Sequence, residues 1–258
     1  MQAKERREAI VEVVRHQGPA TVSELVDRLG LSEATIRRDL VKLDDAGLLK
    51  RVHGGARPVD LRDDVYADLV DRAAEPKEAI ARAAAARVQD GQSVLLDIGT
   101  TVGRVARYLH DRPITVVTRN LAVFTELVDD PAVELVLLGG AVRPAHRSLV
   151  GHLTEESLRQ LRADVLLLGT SGIRRSGHSV DTVTDEVPVK RAMIAAADEV
   201  VVLADASKFP GSGTATVCDV GAYQHLITDA VPEDDVRSAL ERGGVGVEVT
   251  GPAPAHHS

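Results

Sequence analysis

The chain has 258 residues, 44% hydrophobic and 27% charged, which fits one large or two ordinary globular domains with room for a real core. A single cysteine, Cys218, excludes a disulfide framework and a cysteine-rich zinc site, and neither a metal nor a cofactor is expected. A net charge of −8, taken over the whole chain, argues against a nucleic-acid partner. No apolar run approaches the roughly 18–20 residues of a membrane span, and residues 1–20 are charged throughout, so no membrane partner and a cytoplasmic location are expected.

The charge is unevenly placed. Residues 1–57 carry 11 Lys and Arg against 9 Asp and Glu, whereas the other 201 residues carry 20 against 30. A mildly basic head on an acidic body predicts two modules with different partners. The sequence GGARP at 54–58 breaks regular structure, and an acid-rich stretch follows from Asp60 to Glu75. The expected organisation is a head at 1–57, a linker at 58–76, a body at 77–250 and a disordered tail at 251–258.

In the head, residues 5–17 place Ile10, Val13 and Val14 at helical spacing, and Gly18-Pro19 ends that helix. Thr21 and Glu24 form a capping-box pattern for a second helix with Leu25, Val26 and Leu29 on its apolar side. Gly30 provides the turn, and Ser32 is placed to cap a third helix running to about Ala46. There Ile36, Leu40 and Leu43 form the buried stripe, Arg38 lies nearly opposite with Lys42 beside it, and Thr35 and Arg37 sit on the flanks. Short polar groups and arginines on such a helix suit the major groove, where Arg bridges guanine edges or phosphates. Residues 48–55, with Arg51 and His53, read as a strand and glycine turn, the shape of a basic wing against the phosphate backbone. The plainer alternative is that Arg37, Arg38 and Lys42 solvate an exposed face; the whole helix–helix–wing order favours a winged helix-turn-helix. With no aromatic residue in 1–57 to stack on single-stranded bases, the expected partner is double-stranded operator DNA.

The body alternates helices and short apolar strands. A helix is expected at 77–89, a strand ending at Asp97, a helix opening at residues 98–101, and strands at 114–118, 133–138, 165–168 and 199–204. Helices at about 121–128, 154–161 and 186–197 separate them. This pattern predicts a mostly parallel α/β sheet covered on both faces, with ligands beyond the carboxyl ends of the strands. Four loops fall on that edge: Asp97 with Gly99, Thr100 and Thr101; GGAVR ending at Arg143; GTSG at 169–172; and DASK ending at Lys208. Singly each is a common turn or cap. Together they read as a crevice for a small polar anion, with Arg143 and Lys208 as counter-charges.

The run SEATIRRDL at 32–40, followed eleven residues on by RVHGGA at 51–56, resembles the DNA-binding domain of the DeoR family of bacterial transcriptional regulators. LDIGTT at 96–101, VTRNL at 117–121, GGAVR at 139–143, SLVG at 148–151, LADASK at 203–208 and the helix DEVPVKRAMI at 185–194 resemble its sensor domain. The resemblance extends over about residues 3–230. It implies that Thr35, Arg37 and Arg38 lie in the recognition helix and that residues 51–56 form the wing. It further implies a fold related to ribose-5-phosphate isomerase and coenzyme A transferases. On that relationship, Asp97, Gly99–Thr101 and Lys208 border a phosphorylated-sugar pocket, with Arg143 and Lys190 as further candidates. Arg119 departs from the family pattern, in which an asparagine is frequent at the middle of TRN.

A sugar-phosphate isomerase is the rival reading. Isomerisation needs a base to move a proton between adjacent carbons and groups to polarise the carbonyl. The matching region, residues 169–177, has no carboxylate before Asp181 and no lysine followed by glycines. Phosphate-loop, dinucleotide-loop, zinc-protease and nucleophile-elbow motifs are also missing from the sequence. An architectural DNA-binding protein would not need the crevice loops. The expected function is therefore binding without turnover: a homo-oligomeric repressor, dimer or tetramer, of carbohydrate or polyol genes, released from DNA by a phosphorylated sugar.

Overall fold

The computed structural model describes residues 3–58, 65–211 and 213–251. The chain divides into two units, Met1–Val65 and Tyr66–Ser258. Residues 252–258 of the expected tail at 251–258, and residues 59–64 of the acid-rich stretch, lie outside the described residues.

The first unit holds α1 (Ala3–Gln17), β1 (Ala20–Thr21), α2 (Val22–Leu29), α3 (Glu33–Asp45), β2 (Lys50–Val52) and β3 (Gly55–Arg57). Thr21 caps α2 in a full capping box: its hydroxyl accepts from the Glu24 amide at 3.2 Å, and Glu24 accepts from the Thr21 amide at 2.7 Å. Gly30, in the left-handed conformation, closes α2 with a bond to the Val26 carbonyl, and the Ser32 hydroxyl caps α3. The strands form an antiparallel sheet in the order β1-β3-β2. Gly55 is required where β3 crosses β1, because a Cβ there would collide with the Ala20 carbonyl and the Thr21 Cα. Ile10, Val14, Leu25, Ile36, Leu40 and Leu49 are all buried in one core.

One polar group enters that core. Asp39 falls on the buried stripe of α3, three residues after Ile36 and four before Leu43, and is 3% exposed. Its two carboxylate oxygens accept from Nε and NH2 of Arg6 on α1. A carboxylate in an apolar stripe is tolerated only when paired, so this contact fixes α1 against the recognition-type helix.

The second unit follows the predicted alternation. Its elements are α4 (Val65–Val70), α5 (Ala74–Arg87), β4 (Ser93–Leu96), α6 (Thr100–Val105), β5 (Ile114–Thr118), α7 (Leu121–Leu127) and β6 (Val133–Leu137). Then come β7 (Ala141–Arg143), β8 (Ser148–Val150), α8 (His152–Arg159), β9 (Ala163–Gly169), β10 (Gly172–Ile173), β11 (Ser179–Asp181) and α9 (Glu186–Ala195). The chain finishes with β12 (Ala197–Leu203), β13 (Ala215–Cys218), β14 (His225–Thr228), α10 (Asp234–Arg242) and β15 (Gly246–Val249). Seven strands form a parallel sheet in the order β15-β14-β12-β9-β4-β5-β6. Alternate residues of its central strands serve opposite faces. Val94, Leu96, Val165 and Leu167 pack with Ile80, Val102 and Leu127 of α5, α6 and α7. Leu95, Leu166 and Leu168 pack with Leu158, Met193 and Leu240 of α8, α9 and α10. Coverage of both faces is why these strands read as unbroken apolar runs. A small antiparallel sheet, β10-β11-β13, and the β7-β8 hairpin complete the unit.

Strand order decides where a site can form. From β4 the chain builds outward through β5 and β6 on one side, and β9, β12, β14 and β15 lie on the other. The direction of winding therefore reverses between β4 and β9, and in open α/β sheets ligands bind at the carboxyl ends of the strands flanking such a point.

The Arg6–Asp39 pair gives a test of the head. Asp39→Ala should destabilise the first unit by about 1–3 kcal/mol, the cost of stranding a partly buried partner. Urea unfolding followed by circular dichroism checks this; an unchanged head transition would mean that the pair is incidental.

Candidate DNA interface and effector site

On the head, α3 turns Ile36, Asp39, Leu40 and Leu43 inward and leaves Arg37, Arg38 and Lys42 exposed. Arg37 makes an i,i+4 ion pair with Glu33 at 3.2 Å, an exposed contact of small energetic weight that a phosphate or base edge can displace. Thr35 is half-buried, its hydroxyl 2.9 Å from that of Ser32. Arg51 in β2 and His53 in the turn before β3 are exposed, and the Arg51 amide is anchored to the Asp44 carboxylate at 3.1 Å. The six residues expected at a DNA interface thus lie on α3 and the hairpin, five of them exposed.

In the second unit, the reversal point is filled by charge. Asp97 follows β4 directly and is fully buried. Its Oδ1 accepts from Arg119 at 2.7 Å; its Oδ2 accepts from Lys190 Nζ at 2.8 Å and from the Gly169 amide at 3.1 Å. Gly169 ends β9, so Asp97 bridges the two strands at which the winding reverses. Lys190 also donates to the Gly169 carbonyl at 2.6 Å and lies 3.4 Å from Asp181. Arg119, following β5 and fully buried, continues the chain of charges by donating to Glu186 Oε2. Glu186 in turn accepts from Arg143 and, at 3.0 Å, from the Ser148 hydroxyl.

The electrostatics are self-consistent. Burial alone pushes the Asp97 carboxyl up, but Lys190 and Arg119 outweigh it and hold it below the usual carboxylate range. Burial of Glu186 is likewise outweighed, by Arg119 and Arg143. Lys190 is pulled down by burial and held above the usual lysine value by Asp97 and Asp181. Arg143, 23% exposed at its side chain, is the end of the network nearest solvent. A guanidinium pairs with phosphate as well as with carboxylate, so an arriving anion can compete with Glu186 for Arg143.

Asp97 and Lys190 are in direct contact, and Arg143 joins them through Arg119 and Glu186, which the loop pattern does not single out. Gly99, Thr100 and Thr101 follow Asp97 directly into α6, with Thr100 buried and the other two half-buried. Lys208 stands apart from the network. It is half-buried at the end of the loop after β12, within electrostatic reach of Lys77. Lys77 is itself buried; burial pulls its amine down to about 8, with Asp205 opposing the shift and Lys208 adding to it. Arg119 carried a usable signal: it is the first residue after a predicted strand, so the rule that selected Asp97 applies to it equally. Among the described residues no group of His, Cys, Asp and Glu is arranged to hold a metal ion, and no helix is long and apolar enough to cross a membrane.

A helix-turn-helix head joined to an α/β unit with a charged switch-point site defines a DNA-binding regulator with a sensor domain. Family models agree in detail: a DeoR-like helix-turn-helix domain matches residues 6–61, and a DeoR C terminal sensor domain matches residues 72–230. The chain belongs to the DeoR family of transcriptional regulators. It is similar to the HTH-type transcriptional repressor GlcR of Bacillus subtilis, at 33% identity over 97% of both chains. It is similar to the transcriptional regulator GlpR of Haloferax volcanii, at 36% over 94% of this chain and 96% of that one. The glycerol-3-phosphate regulon repressor of Escherichia coli is 32% identical over 96% of this chain and all of its own. Among solved structures, ribose 5-phosphate isomerase A of Methanocaldococcus jannaschii aligns with 51% of this chain and 52% of its own at 17% identity and a TM-score of 0.38, a likeness from which no activity follows.

Arg119→Met tests the network. Removing one member of a buried charge set should destabilise the second unit by about 3–5 kcal/mol at pH 7. Asp97 and Glu186 have depressed values in the folded state. Their contribution is complete above the ordinary carboxylate range of about 4 and lost as pH falls through the folded values. The difference between parent and variant in urea titrations should therefore shrink as pH drops below about 4; a gap that stays constant would separate Arg119 from both carboxylates.

Proposed function

We propose that the protein is a repressor of genes of carbohydrate or polyol metabolism, released from its operator by a phosphorylated sugar held in the second unit. The observation that carries this reading is the position of the Asp97–Arg119–Glu186–Arg143 network at the winding reversal of the sheet, with its cationic end nearest solvent. A phosphate competing with Glu186 for Arg143 makes a charge-assisted, bidentate-capable contact that a neutral sugar does not. Gly99, Thr100, Thr101 and Lys208 are the further groups assigned to the effector, and Asp97 and Lys190 hold the floor of the site. Relatives named as glycerol-3-phosphate regulon repressors support the choice of a phosphorylated ligand.

On the head, Arg37, Arg38 and Lys42 with Thr35 are assigned to the major groove, and Arg51 and His53 to the neighbouring phosphates. The domain scheme is a DNA-binding head, a linker and a sensor, assembled as a dimer or tetramer. Paired heads require operator half-sites about one helical turn, or a multiple of it, apart. The effector acts only if it binds the released arrangement more tightly than the DNA-bound one.

Two substitutions separate the roles. Arg38→Ala should weaken operator binding by about tenfold or more and leave the thermal shift produced by a phosphorylated sugar unchanged; equal operator affinity in a gel-shift titration would remove Arg38 from the interface. Lys208→Ala should keep operator affinity and lose the ligand response. Release of DNA by the variant at the parent's ligand concentration would place the pocket elsewhere.

A further inference from the structure

Tyr66, at the start of α4, is buried between two segments of the second unit. One is α6: a methyl group at Gly103 would overlap the Tyr66 hydroxyl oxygen and lie 3.4 Å from Cζ. The other is the turn before β8, where the Arg147 guanidinium carbon sits 4.9 Å from the centre of the Tyr66 ring, a cation–π stack. The far end of α4 is held as well. Arg104, next to Gly103, donates to the Val70 carbonyl at 2.6 Å, and Lys77 Nζ donates to the Leu69 carbonyl at 2.8 Å. Carbonyls at a helix end lack partners within the helix, and cations are favoured there.

Both walls around Tyr66 originate at the buried charge network. The helix carrying Gly103 opens three residues after Asp97. Arg147 lies between Arg143 and Ser148, both of which bond to Glu186, and its carbonyl accepts from the Leu121 amide, two residues past Arg119. In the chain, α4 is also the first described element after β3 of the head and residues 59–64.

We propose that Tyr66, seated between Gly103 and Arg147, is the contact through which effector occupancy of the charge network reaches α4 and, through the chain, the DNA-binding head. This rests on the reading of the second unit as a sugar-phosphate sensor. An anion that draws Arg143 away from Glu186 moves the turn that carries Arg147, and one wall of the Tyr66 seat opens. The ring then leaves Gly103, and α4 loses the side-chain contact that fixes its start. Glycine at 103 is not needed for helix formation, since alanine is the better helix former; it is needed for the close approach of the tyrosine hydroxyl.

The test is a rescue. Glycerol 3-phosphate, glucose 6-phosphate, fructose 1-phosphate and ribose 5-phosphate are screened by thermal shift on the full chain, and any that binds is used in operator titrations by fluorescence anisotropy. Gly103→Ala should still bind that sugar phosphate. Without it, the variant should bind operator about tenfold more weakly than the parent, and addition of the sugar phosphate should change that affinity by less than about twofold. Tyr66→Phe/Gly103→Ala, which removes the overlapping hydroxyl and leaves ordinary contact at Cζ, should restore both the parental affinity and the response. Arg147→Met tests the other wall without introducing an overlap and should at least halve the response. Parental behaviour of Gly103→Ala, or failure of the double variant to recover, overturns the inference. If none of the four compounds shifts the parent, the sugar-phosphate reading fails instead, and the seat is judged by the ligand-free weakening and its rescue.

Discussion

The second unit is organised around one ionic contact, the bond from buried Arg119 to buried Asp97, and around its extension to Glu186. Taking such charges out of water is costly, and their attraction offsets that cost only if every partner is in place. Asp97 meets this condition by accepting from Arg119, Lys190 and the Gly169 amide together. The bond from the Gly169 amide to Asp97 joins the strands on either side of the winding reversal, and Glu186 brings α9 and the β7-β8 hairpin to the same network. The set is linked from residue to residue, although Arg119 Nε is buried without a hydrogen-bond partner. On the proposed reading, an anion drawing Arg143 from Glu186 would act on this linked set and not on a single side chain.

The head solves a different problem with the same chemistry. A net balance of two positive charges in residues 1–57 gives little general attraction to DNA, so specificity rests on how the helix is presented. The Arg6–Asp39 pair fixes α1 to α3 from the inside and leaves Arg37, Arg38 and Lys42 turned outward. The acidity that dominates the whole-chain charge belongs to the residues after 57, which carry 20 Lys and Arg against 30 Asp and Glu.

Much of this was legible in the sequence because it is local. The capping box of Thr21 and Glu24, the cap at Ser32 and the central strands follow from spacing and composition alone. Strands β14 and β15 and the antiparallel β10-β11-β13 sheet are not, since they are short and lack the unbroken apolar run that marks Val94–Leu96. The place of Arg119 just after a predicted strand marks it for the sheet edge, but its pairing with Asp97, 22 positions away, is set by the fold. The fit of Tyr66 to Gly103 is hidden for the same reason, being set by the packing of α4 on α6 and not by either sequence.

The central claim is that a phosphorylated sugar, recognised by its charge at the Asp97–Arg119–Glu186–Arg143 network, controls operator binding. The most direct measurement is an operator-affinity titration of the full chain against phosphorylated sugars and their unphosphorylated parents side by side. A phosphorylated member should lower operator affinity and remain chemically unchanged, and its unphosphorylated parent should have no effect. An equal response to both forms, or no response to any phosphorylated sugar, would contradict it.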